Sequence, residues 1–294
     1  MKSNVFDYSY DEKLKANEFL NTHDYCLPFV GVNYKDAKVK VLHIGNCPYI
    51  QASQDINNEF GCDFFIKNWF DNPKLLNLMP KTWTNYCMNT RAVLEEFLTT
   101  HKNEFNLSKK MNYNIFGFIT KMLSDSIVAE KNIGCRTKID SISMPKDNSA
   151  NCKNQKTKDE RKKVYLEKLE TYKEKTKIYN YVAFTDFHMF PSLINGNANV
   201  LDSLIKSNTN NQNNVHTFYE KVKEQSWETL KHIIDVLKPD IILITSKPVS
   251  NIFPSSTYDD RVIKMKHPNS LFNKDAKIEY FEDFNTQVEL MIHK

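Results

Sequence analysis

Three short polar groups follow β-rich runs of this 294-residue chain, and they contain the residue types that acid–base chemistry requires. They are Gly45-Asn46-Cys47-Pro48-Tyr49, Thr185-Asp186-Phe187-His188 and His267-Pro268-Asn269-Ser270. An amide can orient water, and a thiol becomes a nucleophile when its pKa is lowered. A carboxyl group accepts hydrogen bonds or, when protonated, donates one, and an imidazole can donate to a developing oxyanion. These groups are therefore the candidates for catalysis.

Four β-rich runs are present, namely Lys38–Ile44, Tyr179–Phe184, Asp240–Thr245 and Arg261–Met265, and each of them except Asp240–Thr245 leads into one of the three polar groups. Two of the runs are almost continuously apolar, which is typical of strands buried on both faces of a parallel sheet. Helical periodicity lies between and after them, over 89–100, 218–237 and 278–292. This alternation predicts an α/β fold, in which the strand ends converge on one cleft.

Two polar stretches lack periodicity, and we expect both to be surface loops. They are Asp140–Lys158 and the Asn-rich segment Asn195–Asn214.

The first and third polar groups resemble the signatures of the uracil-DNA glycosylase superfamily. GNCPY is similar to the turn after the first strand of that family, and HPNS is similar to the loop after its last strand. The run DIILITS and the segment Phe29–Tyr34 also resemble family elements. The resemblance implies a three-layer α/β/α sandwich with a central four-stranded, mainly parallel sheet. It implies one domain over residues 1–294, with a helical, basic insertion at about 81–177.

The family resemblance also implies roles for single residues. His267 would donate to the base oxygen, while Pro268 and Asn269 press on the DNA and Ser270 contacts a phosphate. Asn46 and Cys47 stand where members orient water, but neither is acidic, so Cys47 is either a weak polar group or a buried filler. The base pocket would be closed by Tyr49, with Phe60 or Phe64 as the stacking ring, although both phenylalanines also fit a core.

Asp186 stands where the family usually carries an asparagine that reads uracil. A carboxylate accepts from the exocyclic amine of cytosine, and a protonated acid can also donate to cytosine N3. Burial beside Phe184 and Phe187 favours the protonated form, so a cytosine-type base is expected. The alternative is an aspartate that caps a following helix or turn. His188 is expected near the same cleft, as a pocket residue or a structural histidine.

The net charge of +4 is unevenly distributed. Residues 146–177 contain eleven basic and six acidic residues, whereas the rest of the chain is close to neutral. The segment from Asp159 to Lys177 is predicted to be helical. It is either a solvated charged helix or a surface that meets DNA phosphates through Lys162 and Lys163.

The sequence therefore predicts a DNA glycosylase acting on a flipped uracil, cytosine or modified cytosine, the last as a defence against viral DNA. A catalytically idle DNA sensor and a hydrolase with Cys47 as nucleophile are the alternatives. No cofactor, metal or membrane contact is expected. With no signal-peptide pattern and no long apolar run, we expect a cytoplasmic monomer whose partner is DNA.

Overall fold

The central sheet of the computed structural model has five strands in the order β1-β3-β2-β4-β5. The strands are β1 (Phe29–Val30), β2 (Val41–Gly45), β3 (Val182–Asp186), β4 (Ile241–Ile244) and β5 (Val262–Lys264). β1 is antiparallel to β3, and the other neighbours are parallel. The structure describes residues 5–48, 62–73, 90–99, 119–136, 149, 154–192, 200–207, 212–254, 257–258, 260–266 and 274–293.

All four predicted strands are present, but the expectation of a four-stranded sheet is wrong. The fifth strand, β1, pairs Phe29 with Phe184 at the edge of the sheet. With two residues it is too short to show a period of two, so nothing in the sequence pattern marks it. The start of the second predicted strand also differs, because Lys177–Tyr181 forms a 3-10 helix before β3.

Ten α-helices have defined bounds within the described residues. They are α1 (Asp11–Leu14), α2 (Glu18–Thr22), α3 (Cys62–Asp71), α4 (Thr90–Thr99), α5 (Ile127–Ile133), α6 (Gln155–Thr176), α7 (Val200–Ser207), α8 (Gln212–Leu237), α9 (Lys247–Ile252) and α10 (Lys274–Ile292). Among the described residues, no helix is both long enough and apolar enough to cross a bilayer.

Helices α4, α6, α8 and α10 confirm the predicted helical segments. The predicted loop Asn195–Asn214 is wrong in part, because it contains α7 and the first turn of α8. The predicted loop Asp140–Lys158 likewise ends inside α6, which begins at Gln155.

The helices form two groups on opposite faces of the sheet. Leu42 and Ile44 of β2 belong to one apolar cluster, to which α1, α2, α3, α7, α8 and α9 contribute. Val41 belongs to a second cluster, which contains residues of α4, α5 and α10. This alternation along β2 is compatible with a three-layer α/β sandwich. No described side chain of α6 belongs to either cluster.

Candidate active site

The carboxyl ends of β2 and β3 lie side by side and bring two of the three polar groups together. Gly45 and Asp186 are partners in the parallel ladder. Beyond the strands, the backbone N–H of His188 donates to the Asn46 carbonyl at 2.8 Å. The backbone N–H of Ser192 donates to the carbonyl of Pro48, also at 2.8 Å. Asn46, Cys47, Asp186 and His188 therefore lie on one paired platform, which we call the strand-end platform.

The Asp186 carboxyl group packs against the backbone of β2. A Cβ atom at Gly45 would collide with Asp186 Oδ1 and would lie 3.1 Å from a ring carbon of Phe184. Asp186 as a residue is only partly buried, but burial of its carboxyl group raises the pKa of Asp186 to about 7. Both protonation states are therefore populated near neutral pH.

The alternative role for Asp186, that of a helix cap, is not supported by the fold around it. The residues that follow, 187–192, are described and are not helical. The carboxyl group therefore caps no helix in this segment, whereas its role in a turn stays a prediction.

Cys47 is a neutral thiol in this environment. Burial and the neighbouring Asp186 raise the pKa of Cys47 far above its usual value, although a backbone hydrogen bond from Ser192 opposes that change. The Asn46 amide donates to Cys47 Sγ at 3.5 Å. A thiol in this state is a poor nucleophile, because the thiolate is the reactive form.

Unlike the other three residues of the platform, His188 is almost completely buried. Its ring packs edge-on against Phe187, at 4.8 Å, and lies 5.8 Å from the ring of Tyr219 on α8. Burial and the charge of Lys223 lower the pKa of His188 to about 4, so the imidazole is neutral at pH 7. Nδ1 of His188 has no hydrogen-bond partner within the described structure. The ring therefore contributes by packing against Phe187 and Tyr219 as a neutral group.

Cys26 and Tyr219 also lie beside the platform, and sequence reasoning missed both. Burial and the charge of Asp186 raise the pKa of Cys26, whose Sγ is 4.0 Å from the Met189 carbonyl oxygen. Burial, Glu220 and Cys47 together raise the pKa of Tyr219. Cys26 lies 160 residues from Asp186 along the chain, so no local pattern could have joined them.

Strands β4 and β5 are parallel to β2, so their carboxyl ends lie on the same side of the sheet as the carboxyl ends that form the platform. His43 Nε2 is 2.8 Å from Thr245 Oγ1, and this buried contact ties β2 to β4. β5 lies three strand spacings from β3, about 14 Å, and its end leads toward the third polar group. The third polar group itself lies outside the described residues, so its convergence with the platform on one cleft stays a prediction.

Several predicted site residues lie outside the described residues. They are Tyr49, Phe60, His267, Pro268, Asn269 and Ser270. Phe64 lies in α3, but its side chain is likewise outside the described part. The roles predicted for these residues stay predictions.

Lys162 and Lys163 are exposed on α6. Through the 3-10 helix at Lys177–Tyr181, α6 joins the amino end of β3. Asp186 is at the carboxyl end of the same strand. Helix α6 and the strand-end platform are therefore attached to opposite ends of β3.

Among the described side chains, no group of three or more His, Cys, Asp or Glu residues is arranged to hold a metal ion. The chain matches no family model, no curated protein and no solved structure.

Proposed function

We propose that this protein is a DNA glycosylase that excises a flipped pyrimidine, uracil or a cytosine-type base, and leaves an abasic site. The observation that carries the proposal is Asp186, a carboxyl group with its pKa raised to about 7 beside the Gly45–Pro48 turn. The GNCPY and HPNS motifs support it as features similar to the uracil-DNA glycosylase superfamily. Membership of that superfamily and its three-layer sandwich are part of the proposal.

A neutral carboxylic acid presents one donor and one acceptor to a base. With the proton on one oxygen, it complements N3 and the exocyclic amine of cytosine. With the proton on the other oxygen, it complements the N3–H and O4 of uracil. An ionised carboxylate presents two acceptors, and one of them then faces an acceptor of either base. Recognition of a pyrimidine by Asp186 therefore requires the protonated form.

The bond to be broken joins C1′ of the sugar to N1 of the base. Its electron pair leaves with the base, the sugar becomes oxocarbenium-like, and water adds at C1′ as it loses a proton to solvent. Asn46 would orient that water but cannot take its proton. His267 would donate a hydrogen bond to the base oxygen as negative charge develops there. This division of roles implies that departure of the base precedes attack by water.

A catalytically idle DNA sensor on the same fold is the second candidate. The observation that favours it is the neutral Cys47 thiol beside the Asn46 amide, because neither group can act as a base on water. The same observation disfavours the third possibility, a hydrolase with Cys47 as nucleophile, since that mechanism needs a lowered thiol pKa.

The test is an abasic-site assay on labelled duplexes that contain uracil, cytosine or 5-hydroxymethylcytosine. With at least one of the three bases, we expect the wild-type protein to form abasic sites, which are detected as strand breaks after treatment with alkali. Asp186→Ala should lower the rate by about 10- to 100-fold, the equivalent of two neutral hydrogen bonds. Asp260→Ala, at an exposed carboxyl group, is the matched control and should retain the wild-type rate.

His267→Ala separates an enzyme from a sensor. In a glycosylase it should remove turnover and leave DNA affinity nearly unchanged. Tight binding by the wild-type protein with no abasic site from any base supports the sensor, whereas neither binding nor cleavage by folded protein contradicts both candidates.

A further inference from the structure

Helix α8 repeats one arrangement of side chains eight residues further along, in Tyr219–Lys223 and again in Trp227–Lys231. Each copy has an aromatic residue, a glutamate, two further residues and a lysine. In both copies the lysine Nζ lies 5.7 Å from the centroid of the aromatic ring four residues earlier. The same Nζ also pairs with the glutamate three residues earlier, at 2.5 Å in the first copy and 2.6 Å in the second. The two lysines therefore have the same kinds of contact within the helix.

The two copies differ in what their aromatic rings contact. The Trp227 ring packs against core residues, with its centroid 5.4 Å from that of Phe253 and 6.4 Å from that of Tyr258. The Tyr219 ring instead lies 5.8 Å from the ring of His188, which belongs to the strand-end platform. Only the first copy therefore borders the candidate active site.

The phenol group of Tyr219 is available to a ligand at the platform. Tyr219 is half-buried, and its hydroxyl forms no hydrogen bond within the described part of the chain. The hydroxyl of Tyr280, in contrast, donates to the Lys266 carbonyl at 2.8 Å. Burial, Glu220 and Cys47 together raise the pKa of Tyr219, so its oxygen lies within electrostatic range of Cys47 and stays protonated. An O–H donor is therefore present beside the platform.

Lys223 brings a positive charge to the same place. Its charge contributes to the lowered pKa of His188, and its side chain is 35% exposed. Glu220 is 63% exposed, and an ion pair this close to solvent contributes little to stability. Because an ammonium group has three donors, Lys223 can bind an anion while it is paired with Glu220.

We propose that Tyr219 and Lys223 bind the phosphate of the flipped nucleotide beside the strand-end platform. Phosphate oxygens accept hydrogen bonds from hydroxyl and ammonium groups, and such contacts fix the position of a nucleotide without reading its base. Asp186 would then read the base, while the two residues of α8 hold the phosphate. The inference rests on the proposed function for the identity of the ligand, and it deepens that function by assigning the phosphate contact to two residues.

The test measures DNA binding by full-length Lys223→Gln and Tyr219→Phe at several salt concentrations. Lys231→Gln is the matched control, because it removes the same charge and the same intrahelical contacts away from the platform. One 30-base-pair duplex contains a tetrahydrofuran abasic-site analogue, which has no base to unpair or excise. The second duplex has the same sequence and is unmodified. Circular dichroism and thermal unfolding check that each variant is folded.

For Lys223→Gln we expect affinity for the analogue duplex to fall about 3- to 10-fold at about 0.1 M salt, with a salt slope about 0.9 smaller because one phosphate contact is lost. Tyr219→Phe should lose affinity about 3- to 10-fold through one hydrogen bond, with an unchanged salt slope. Affinity for the unmodified duplex should change less than about twofold, and Lys231→Gln should stay within about twofold of wild type on both duplexes.

Three results would overturn the proposal. They are equal losses in Lys223→Gln and Lys231→Gln, wild-type affinity in both platform variants, and losses that are the same on the two duplexes. The third result would mean that Lys223 contacts duplex phosphates in general and not the flipped nucleotide.

These binding measurements do not depend on excision. If the wild-type protein forms no abasic site from any base, but Lys223→Gln and Lys231→Gln still differ on the analogue duplex, the proposed function fails and the inference about α8 stands. If the wild-type protein excises a base and the two lysine variants bind alike, the inference fails and the proposed function stands.

Discussion

At the scale of single residues, Asp186 and Gly45 form the contact on which the proposed chemistry depends. The carboxyl group of Asp186 lies against the β2 backbone at a place where a Cβ atom has no room. That contact desolvates the carboxyl group and holds it at the end of β3. The absence of a Cβ atom at Gly45 therefore makes room for the Asp186 carboxyl group, and burial of that group raises its pKa.

The variant Gly45→Ala tests this contact. The added methyl group should displace the Asp186 carboxyl group and the Phe184 ring, with a loss of about 1–3 kcal/mol in unfolding free energy. Excision should fall at least about tenfold even at temperatures where the variant is folded. Urea unfolding and single-turnover excision provide the two measurements.

Gly134→Ala is the control for that variant. Gly134 has φ +80° after α5 and nothing within 4 Å of a Cβ atom, so alanine should cost about 1 kcal/mol through backbone strain alone. Its excision rate should match wild type. Equal losses of excision in the two variants would contradict a specific role for the Gly45–Asp186 contact.

The buried imidazole of His188 should make the free energy of unfolding depend on pH in the acid range. Its folded pKa of about 4 is below the unfolded value of about 6.5, so the unfolded state takes up the proton first as pH falls. The contribution of His188 to stability is therefore present above pH 6.5 and is lost toward pH 4. Between pH 7 and pH 5 that loss is about 2 kcal/mol.

His188→Gln should remove this part of the acid sensitivity. Chemical denaturation at pH 7 and pH 5 measures the difference, with the exposed His216→Gln as the control for loss of an imidazole. If wild type and His188→Gln lose the same stability between these pH values, the buried neutral imidazole is not the cause.

At the scale of elements, α7 shows that an asparagine-rich composition does not exclude a packed helix. The segment around it is rich in asparagine, yet α7 buries Val200 and Leu204 in the core and packs against α8. Leu201 and Ile205 pack against the same cluster, so α7 has a broad apolar stripe, and tertiary packing of such a stripe supplies most of the stability of a helix.

The burial of α7 predicts unequal effects of two neighbouring truncations. Leu204→Ala, at a fully buried side chain, should lower the unfolding free energy by about 2–5 kcal/mol. Leu201→Ala, at a half-buried side chain, should cost less than half as much. Thermal unfolding measures both, and equal small effects would indicate that α7 does not pack as described.

At the scale of the whole molecule, the parallel strands were predictable because burial on both faces leaves continuous apolar runs such as Ile241–Ile244. The edge strand β1 was not predictable, because its two residues are too few to show the alternation that is typical of a strand. Of the candidate site, Asn46, Cys47, Asp186 and His188 were predictable from their places after strand ends. Cys26 and Tyr219 were not, because their proximity to those residues arises only from tertiary packing.

The most direct test of the central claim, that Asp186 reads a pyrimidine as a neutral acid, is the pH profile of single-turnover excision at saturating enzyme between pH 5.5 and 8.5. With a pKa of about 7, the rate should be constant below pH 6 and should fall toward tenfold per pH unit above pH 7.5. Asp186→Asn keeps one donor and one acceptor without ionising, so it should remain active and lose this fall. A wild-type rate that rises through pH 7, or an unchanged fall in Asp186→Asn, would contradict the account.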